Sequence, residues 1–384
     1  MKNFASVATQ IPRSGIREIL ELALTMQDVI HLEIGQPDFN TPPHIVEATC
    51  RYVREGHTRY VANAGVDELR HSAAEYFQRT TGVPTTMENI LVTPGAAASL
   101  MTAFLATLNV GDEVLVPDPG WPNYAMAVSL AHGKPVPYDL KAEDRFLPNV
   151  DQMHALVTPR TKVLLLCSPS NPTGQVYGTQ TMQALMDFAR RHDLFVLSDE
   201  IYGEIVFDRK HVSALSFDED ERTLIVNGMS KSFAMTGYRV GFTRARPDYV
   251  RLGIKLIEAS IACGTGFSQL AAAVGLNEPM DCVYAMRDTY QSRRDVAVEV
   301  LREYDLHRYT PGGAFYLLIE IALTRMDSRE FALELLKQKK VAVAPGATFG
   351  CMSKDYVRVS FASPEEEIRE GLHRIGRFIR EKVQ

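Results

Sequence analysis

The spacing of apolar residues predicts a chain whose central part alternates between short strands and helices. Between residues 90 and 226, aliphatic and β-branched runs are separated by longer segments with helical spacing. The predicted strands are residues 90–93, 113–116, 135–138, 163–167, 194–198 and 223–226, and the predicted helices between them are residues 96–108, 124–131 and 179–193. This alternation predicts an α/β fold with a mostly parallel sheet that helices cover on both faces.

The segments before and after this sheet predict a second, smaller α/β unit. The first segment contains a predicted helix at 16–29, a strand at 29–34, a turn at 35–38, a helix from Pro43 to about residue 55, a loop at 60–65 and a helix at 66–79. After residue 245 the pattern is mainly helical, with helices at about 279–303, 328–339 and 364–382 and strands at 313–321, 341–344 and 356–360. We therefore predict a small domain formed by residues 1–45 and 281–384, and a large domain formed by residues 46–280.

Composition and charge exclude several classes of protein. The chain has 384 residues, of which 46% are hydrophobic and 23% charged, as in ordinary soluble proteins. A net charge of −6 argues against a nucleic-acid partner. No apolar run approaches the roughly 18 residues that span a bilayer, so no membrane association is expected. Five cysteines without a CxxC pair indicate no disulfide framework and no metal site, and they favour a cytoplasmic location.

A lone lysine follows the predicted strand at 223–226. Lys231 stands between Ser230 and Ser232, and Arg239 follows between two glycines. Burial at the end of a strand disfavours the ammonium form, and a neutral amine can condense with an aldehyde. Arg239 and Ser230 could hold a phosphate. The segment therefore fits a pyridoxal 5′-phosphate site, and the alternative is a surface turn with two solvated cations.

Other polar residues also follow predicted strands, where the ligands of parallel sheets bind. Asp199 could pair with a protonated ring nitrogen or cap a helix, and Tyr202 could donate a hydrogen bond to a ring oxygen. Asn171 lies between two prolines and either contacts a ligand or serves the turn.

Three further positions admit both a functional and a structural interpretation. The turn at Gly95, Ala96 and Ala97 exposes N–H groups at a helix start, which can bind phosphate. Trp121 could stack on a flat cofactor or pack in the core. Arg358, within an apolar strand, needs an anionic partner, which could be a substrate carboxylate or a structural acid.

In combination, these motifs resemble the class I/II aminotransferases, the pyridoxal-phosphate enzymes of fold type I. The matching pieces are Gly35-Gln36-Pro37-Asp38-Phe39, Tyr60 to Arg70, Thr93-Pro94-Gly95, Asn171-Pro172-Thr173-Gly174, Asp199-Glu200-Ile201-Tyr202, Ser230-Lys231-Ser232, Gly237-Tyr238-Arg239-Val240-Gly241 and Arg358. They occur in the family's order over nearly the whole chain. The resemblance implies a large domain with a mostly parallel seven-stranded sheet between helices, and a smaller α/β domain formed by both chain ends.

The resemblance also implies a role for each matching residue. Lys231 would be the Schiff-base lysine and would carry the proton that moves during the reaction. The cofactor would be held by Gly95, Ala96, Ala97, Trp121, Asn171, Asp199, Tyr202, Ser230 and Arg239, with Tyr60 reaching over from the partner subunit of a homodimer. Arg358, the Gly35 backbone and Asn171 would bind the substrate. An amino group would then pass from an L-amino acid to a 2-oxo acid by a ping-pong mechanism.

The motifs leave the substrate and the exact reaction open. Some bacterial aspartate-using relatives carry a lysine where this chain has Ala97, so an apolar, aromatic or alanine-type donor is favoured, although Arg13 and Arg17 could supply a charge. The alternatives of the same fold are a β-lyase and a ring-closing synthase. A non-catalytic regulator that binds the cofactor is a further alternative, against which the retained Lys231 argues.

Overall fold

Twelve strands and thirteen helices form the framework of the protein in a computed structural model that describes residues 2–383. The strands are β1 (Ile30–His31), β2 (Ile90–Thr93), β3 (Glu113–Asp118), β4 (Lys134–Asp139), β5 (Thr161–Cys167), β6 (Phe195–Asp199), β7 (Thr223–Gly228), β8 (Gly241–Arg244), β9 (Tyr316–Glu320), β10 (Val341–Ala342), β11 (Ala344–Pro345) and β12 (Tyr356–Ser360). The helices are α1 (Ser6–Gln10), α2 (Gly15–Ala23), α3 (Pro43–Arg54), α4 (Asp67–Thr81), α5 (Ala96–Thr107), α6 (Asn123–Leu130), α7 (Val150–Met153), α8 (Thr179–Arg191), α9 (Pro247–Ser260), α10 (Gly266–Asn277), α11 (Asp281–Glu303), α12 (Ser328–Lys339) and α13 (Glu365–Val383).

The central sheet has seven strands in the order β2-β8-β7-β6-β5-β3-β4. Its neighbouring strands run parallel except at β8, which is antiparallel to both β2 and β7. The prediction of a mostly parallel seven-stranded sheet is therefore confirmed. The carboxyl ends of β5, β6 and β7 lie side by side, so the loops that follow them meet at one edge.

Helices cover both faces of this sheet because its strands carry apolar residues at successive positions. In β5, Val163 and Leu165 belong to the buried apolar cluster that contains residues of α5 and α6, whereas Leu164 and Leu166 belong to the cluster that contains residues of α4 and α8. All four side chains are fully buried. Alternate side chains point to opposite faces of a strand, so a continuous apolar run satisfies both layers.

The smaller unit contains strands from both ends of the chain. β11, β12 and β9 form an antiparallel sheet, and β1 pairs in parallel with β10, with Ile30 opposite Val341. The predicted participation of both chain ends is confirmed by this pairing. The domain boundaries at residues 45 and 280 remain a prediction.

Several predicted elements differ from the observed ones. The helix predicted at 16–29 ends at Ala23, because residues 24–28 form turns, and the strand predicted at 29–34 forms pairs only at Ile30–His31. The strand predicted at 341–344 is divided into β10 and β11. Strand β8 was not predicted, since it is short and ends in a charged residue.

Within residues 2–383, no helix combines the length and the apolar character that crossing a bilayer requires.

Candidate active site

A cavity of about 560 Å³ opens at the carboxyl edge of the central sheet, between the sheet and the smaller unit. Eleven of the predicted site residues line it: Gly35, Ala96, Ala97, Trp121, Asn171, Asp199, Tyr202, Ser230, Lys231, Arg239 and Arg358. The loops after β2, β3, β5, β6 and β7 bring most of them there, and Gly35 and Arg358 come from the smaller unit. The sheet thus gathers residues that are far apart in sequence.

Lys231 follows β7 and lies inside this cavity. Its Nζ donates a hydrogen bond of 2.6 Å to the carbonyl oxygen of Gly35. The pKa of the amine is lowered to about 8, mainly by burial and also by the guanidinium groups of Arg358 and Arg239, whereas Asp199 opposes them. An ordinary lysine has a pKa near 10.4. Near neutral pH, a much larger fraction of Lys231 is therefore in the neutral, nucleophilic amine form than for an ordinary lysine.

Asp199 ends β6 on the cavity floor and is only 3% exposed. Its Oδ2 accepts a hydrogen bond of 2.7 Å from the Tyr124 hydroxyl, and its Oδ1 accepts one of 3.2 Å from the Ile201 N–H. Burial raises the pKa of the carboxyl to about 6, although these two donors lower it. A turn at 201–204 follows the strand, so Asp199 does not cap a helix. A buried carboxylate with neutral partners is a site for a cation.

The start of α5 and Arg239 form an anion-binding end of the cavity. Ala96 and Ala97 are the first helical residues, so their N–H groups have no acceptor within the helix and the helix dipole adds positive potential. Gly95 has φ 86°, and a Cβ there would lie 2.5 Å from Nη2 of Arg239. Ser230 contributes a buried hydroxyl on the same side. This donor set fits a phosphate group.

Arg358 forms a second anion site at the other end. The side chain is 1% exposed, its Nη1 donates to Oδ1 of Asn171 at 3.1 Å, and its Nη2 donates to the Glu33 carbonyl oxygen. Its guanidinium lies 4.4 Å from the ring centre of Tyr316. Its buried Nε has no hydrogen-bond partner among residues 2–383. A buried arginine N–H group without an acceptor in the protein is suited to bind a carboxylate ligand.

The geometry offers an amine, an acid and two anion sites within one cavity. These groups match a ligand that has a phosphate, a basic ring nitrogen and an aldehyde. The phosphate would bind at the helix start, the ring nitrogen at Asp199 and the aldehyde at Lys231. Comparison with known proteins identifies the family of this chain. The family model for aminotransferase class I and II matches residues 27–375. The chain belongs to the class I and II aminotransferases.

Individual relatives of this aminotransferase match it over almost its whole length. An aspartate aminotransferase from Pyrococcus abyssi is 40% identical over 96% of both chains. The aromatic-amino-acid aminotransferase 2 of Thermococcus litoralis is 38% identical, again over 96% of both chains. The solved structure of the Thermus thermophilus aspartate aminotransferase with maleate is 35% identical, has a TM-score of 0.94, and is matched over 98% of this chain and 100% of that one. The chain is therefore a transaminase with amino acid and 2-oxo acid substrates.

Tyr60 and Gly95 are the two predicted site residues that do not line the aminotransferase cavity. The Tyr60 side chain is 89% exposed and lies in a separate surface depression with Arg59, Cys263 and Phe267. The prediction places Tyr60 in the active site of a partner subunit. A strongly exposed aromatic side chain is compatible with that role.

The aminotransferase cavity also contains two tyrosines that the sequence analysis did not identify. Tyr124 lies in α6, three positions after Trp121, and its ring meets the Trp121 ring edge-on at 5.5 Å. Tyr316 lies in β9, and its hydroxyl is 2.9 Å from that of Tyr202. A Cβ on Gly35 would lie 2.0 Å from the Tyr316 hydroxyl, so a glycine is required there. The position of Tyr124 three residues after Trp121 could have identified Tyr124 as a site residue from the sequence. Tyr316 could not have been identified in this way, because its sequence context is that of an ordinary buried strand.

Proposed function

We propose that this aminotransferase uses pyridoxal 5′-phosphate and moves an amino group from an L-amino acid to a 2-oxo acid by a ping-pong mechanism. The observation that carries the proposal is the convergence of Lys231, Asp199, Arg239 and Arg358 on one cavity. Bound there, pyridoxal phosphate supplies an electron-withdrawing ring that acidifies the substrate Cα–H bond and stores the amino group between the two half-reactions.

The residues that would hold the cofactor divide into three groups along the cavity. The Ala96 and Ala97 N–H groups, Ser230 and Arg239 would bind its phosphate, with Gly95 leaving the necessary space. Asp199 would pair with its ring nitrogen, which relieves the unfavourable burial of the carboxylate. Trp121 would stack on the ring face, and Asn171 and Tyr202 would contact the ring oxygen. Lys231 would bind at the aldehyde carbon.

Lys231 would also move the proton. Its Nζ would accept the proton from the substrate Cα and would donate it to the neighbouring cofactor carbon, which requires an amine that is unprotonated when it accepts the proton. The lowered pKa of about 8 matches this need, because a base works best when its pKa lies near the operating pH. Tyr124 would donate to Asp199 throughout and keep that carboxylate oriented.

Arg358 would bind the substrate α-carboxylate. Its Nη1 is already oriented by Asn171 and its Nη2 by the Glu33 carbonyl, so the guanidinium is fixed before substrate arrives. Gly35 would donate its backbone N–H group to the same carboxylate. The two residues would place Cα next to Lys231, whose Nζ lies 2.6 Å from the Gly35 oxygen.

The proposal also includes the oligomeric state and the cellular location of the protein. The protein would act in the cytoplasm as a homodimer, with Tyr60 of each subunit completing the cofactor site of the other. An apolar, aromatic or alanine-type amino acid would be the preferred donor, since Ile16, Leu20 and Ile34 give the cavity an apolar wall and Ala97 supplies no charge. The aromatic-amino-acid relative is compatible with such a donor.

Steady-state kinetics with varied donor and acceptor test the reaction class. We expect one 2-oxo acid for each amino group transferred, no more than one 2-oxo acid per active site when the acceptor is omitted, and parallel double-reciprocal lines. Release of ammonia and pyruvate without an acceptor would instead indicate a β-lyase and would contradict the proposal.

A further inference from the structure

The turn that carries Trp121 is joined to the smaller unit by a buried carboxylate that none of the roles above uses. Asp118 is the last residue of β3 and is 7% exposed. Its Oδ2 accepts a hydrogen bond of 2.9 Å from the Cys351 N–H, and its Oδ1 accepts one of 3.0 Å from the Met352 N–H. These two donors replace the water that burial removes from the carboxylate.

The loop between β11 and β12, residues 346–353, provides both donors. In the same loop, the Phe349 carbonyl oxygen accepts a hydrogen bond of 2.8 Å from the Gly120 N–H. Gly350 lies between these contacts, and a Cβ there would collide with Oδ1 of Asp118. The turn before Trp121 and the 346–353 loop are therefore joined by hydrogen bonds on both sides of Gly350, with no space for a further carbon atom.

The 346–353 loop also contacts Arg358. The guanidinium of Arg358 lies 4.9 Å from the ring centre of Phe349, which is 3% exposed. A cation packed over an aromatic ring is attracted to that ring, so a movement of Phe349 would change the position that Arg358 prefers. The loop thus connects Trp121, which would stack on the cofactor, with Arg358, which would bind the substrate carboxylate.

We infer that Asp118 is a positioning residue that fixes the distance between Trp121 and Arg358. This inference rests on the proposed function, which gives those two residues their ligands. Asp118 is not among the described residues that line the cavity of Lys231, so it would act through the 346–353 loop. A displacement of about 1 Å between reacting groups can lower a rate about 100-fold, so the spacing of the two ligands matters for the proton transfer at Lys231.

Three substitutions disturb this link from both sides. Asp118→Asn keeps one oxygen acceptor, Asp118→Ala removes both, and Gly350→Ala displaces the loop while the carboxylate remains. Asp139→Ala is the matched control. Asp139 lies opposite Asp118 at the end of the neighbouring strand β4, but it is exposed and makes no side-chain hydrogen bond or ion pair with the part of the chain that the structure describes.

Binding of 3-phenylpropanoate to the holoenzyme measures the effect at Arg358 without turnover, because this acid has a carboxylate but no amino group. We expect its Kd to rise about 10- to 100-fold in Asp118→Ala and Gly350→Ala, less in Asp118→Asn, and not in Asp139→Ala. The Kd for pyridoxal phosphate should change little, since the phosphate site lies outside the link. Lower thermal stability of the Asp118 variants with an unchanged Kd for 3-phenylpropanoate would show a purely structural role and would overturn the inference.

Acrylamide quenching of the apoprotein gives a readout that does not involve Arg358. Trp121 is the only tryptophan of the chain, so its fluorescence reports on this turn alone. Quenching should be stronger in Asp118→Ala than in wild type or Asp139→Ala, and equal quenching in all three would also overturn the inference. If Arg358→Gln binds 3-phenylpropanoate as tightly as wild type, the proposed role of Arg358 fails instead, and quenching still decides whether Asp118 holds the turn.

Discussion

Asp199 lies in an environment that disfavours its charged form. Its carboxyl is almost completely buried, and its direct partners are a tyrosine hydroxyl and a backbone N–H. The pKa is raised to about 6 from an ordinary value near 3.8 because burial disfavours the charged form. A ring nitrogen that carries a proton would remove this penalty, so cofactor binding and the charge of Asp199 should be coupled.

Replacement of Asp199 by asparagine should therefore stabilise the apoprotein. The folded-state pKa lies above the unfolded one, so the carboxyl reduces stability as pH rises from about 4 to about 6, and the penalty persists at higher pH. Two pKa units correspond to about 3 kcal/mol, from which lost hydrogen bonds subtract about 1 kcal/mol. Urea unfolding at pH 7.5 should show Asp199→Asn apoprotein to be about 1–3 kcal/mol more stable than wild type, with little difference at pH 4.

The same variant provides its own control when pyridoxal phosphate is added. Wild type should gain stability from the cofactor, whereas Asp199→Asn should gain much less, because it offers no anion to the ring nitrogen. An apoprotein that asparagine destabilises at pH 7.5, together with undiminished stabilisation by the cofactor, would contradict this account of Asp199.

At the scale of elements, β8 fixes the position of the helix start that we propose to bind the phosphate. Gly241 begins β8, and a Cβ there would lie 2.5 Å from the Gly95 carbonyl carbon and 2.6 Å from the Ala96 nitrogen. The backbone of β8 can approach this turn so closely only because residue 241 is glycine. Arg239, two residues earlier, is directed at the same turn.

Gly241→Ala should consequently displace the helix start and weaken cofactor binding. We expect the dissociation constant for pyridoxal phosphate to rise at least 10-fold, since each misplaced hydrogen bond to an anion contributes about 1.5–3 kcal/mol. Gly237→Ala is the control, because a Cβ at residue 237 would have no atom within 4 Å. Fluorescence titration of the two apoproteins checks this, and similar constants for both variants would refute the role of β8.

The case of β8 also illustrates what the sequence could and could not predict. The parallel strands and the residues that follow them were predictable, because continuous apolar runs between helices require a buried sheet. β8 is a four-residue antiparallel strand whose place in the sheet depends on pairing with β2 and β7, which no local pattern encodes. Tyr316 was missed for a similar reason, since only the approach of β9 to Gly35 brings its hydroxyl into the site.

At the scale of the whole molecule, the question is which subunit supplies Tyr60. Its side chain is exposed and lies outside the cavity that contains Lys231. The proposed homodimer would place it in the partner's active site, so Lys231 and Tyr60 of one complete site would come from different chains. Residues shared across a two-fold interface can be tested by mixing variants.

Mixing Lys231→Ala and Tyr60→Ala proteins after mild dissociation should restore activity. About half of the reassorted dimers are mixed, and each has one intact site, so about a quarter of the wild-type activity should return. Each variant treated alone is the control and should remain impaired. If the mixture shows only the average activity of its components, Tyr60 does not act across subunits.

The absorbance spectrum of the purified protein with pyridoxal phosphate is the most direct test of the central claim, that the buried amine of Lys231 anchors the cofactor beside Asp199. Wild type should show a visible imine band that a suitable amino acid bleaches. Lys231→Ala should bind the cofactor without forming that band. A colourless wild-type protein, or an unchanged visible band in Lys231→Ala, would contradict the claim.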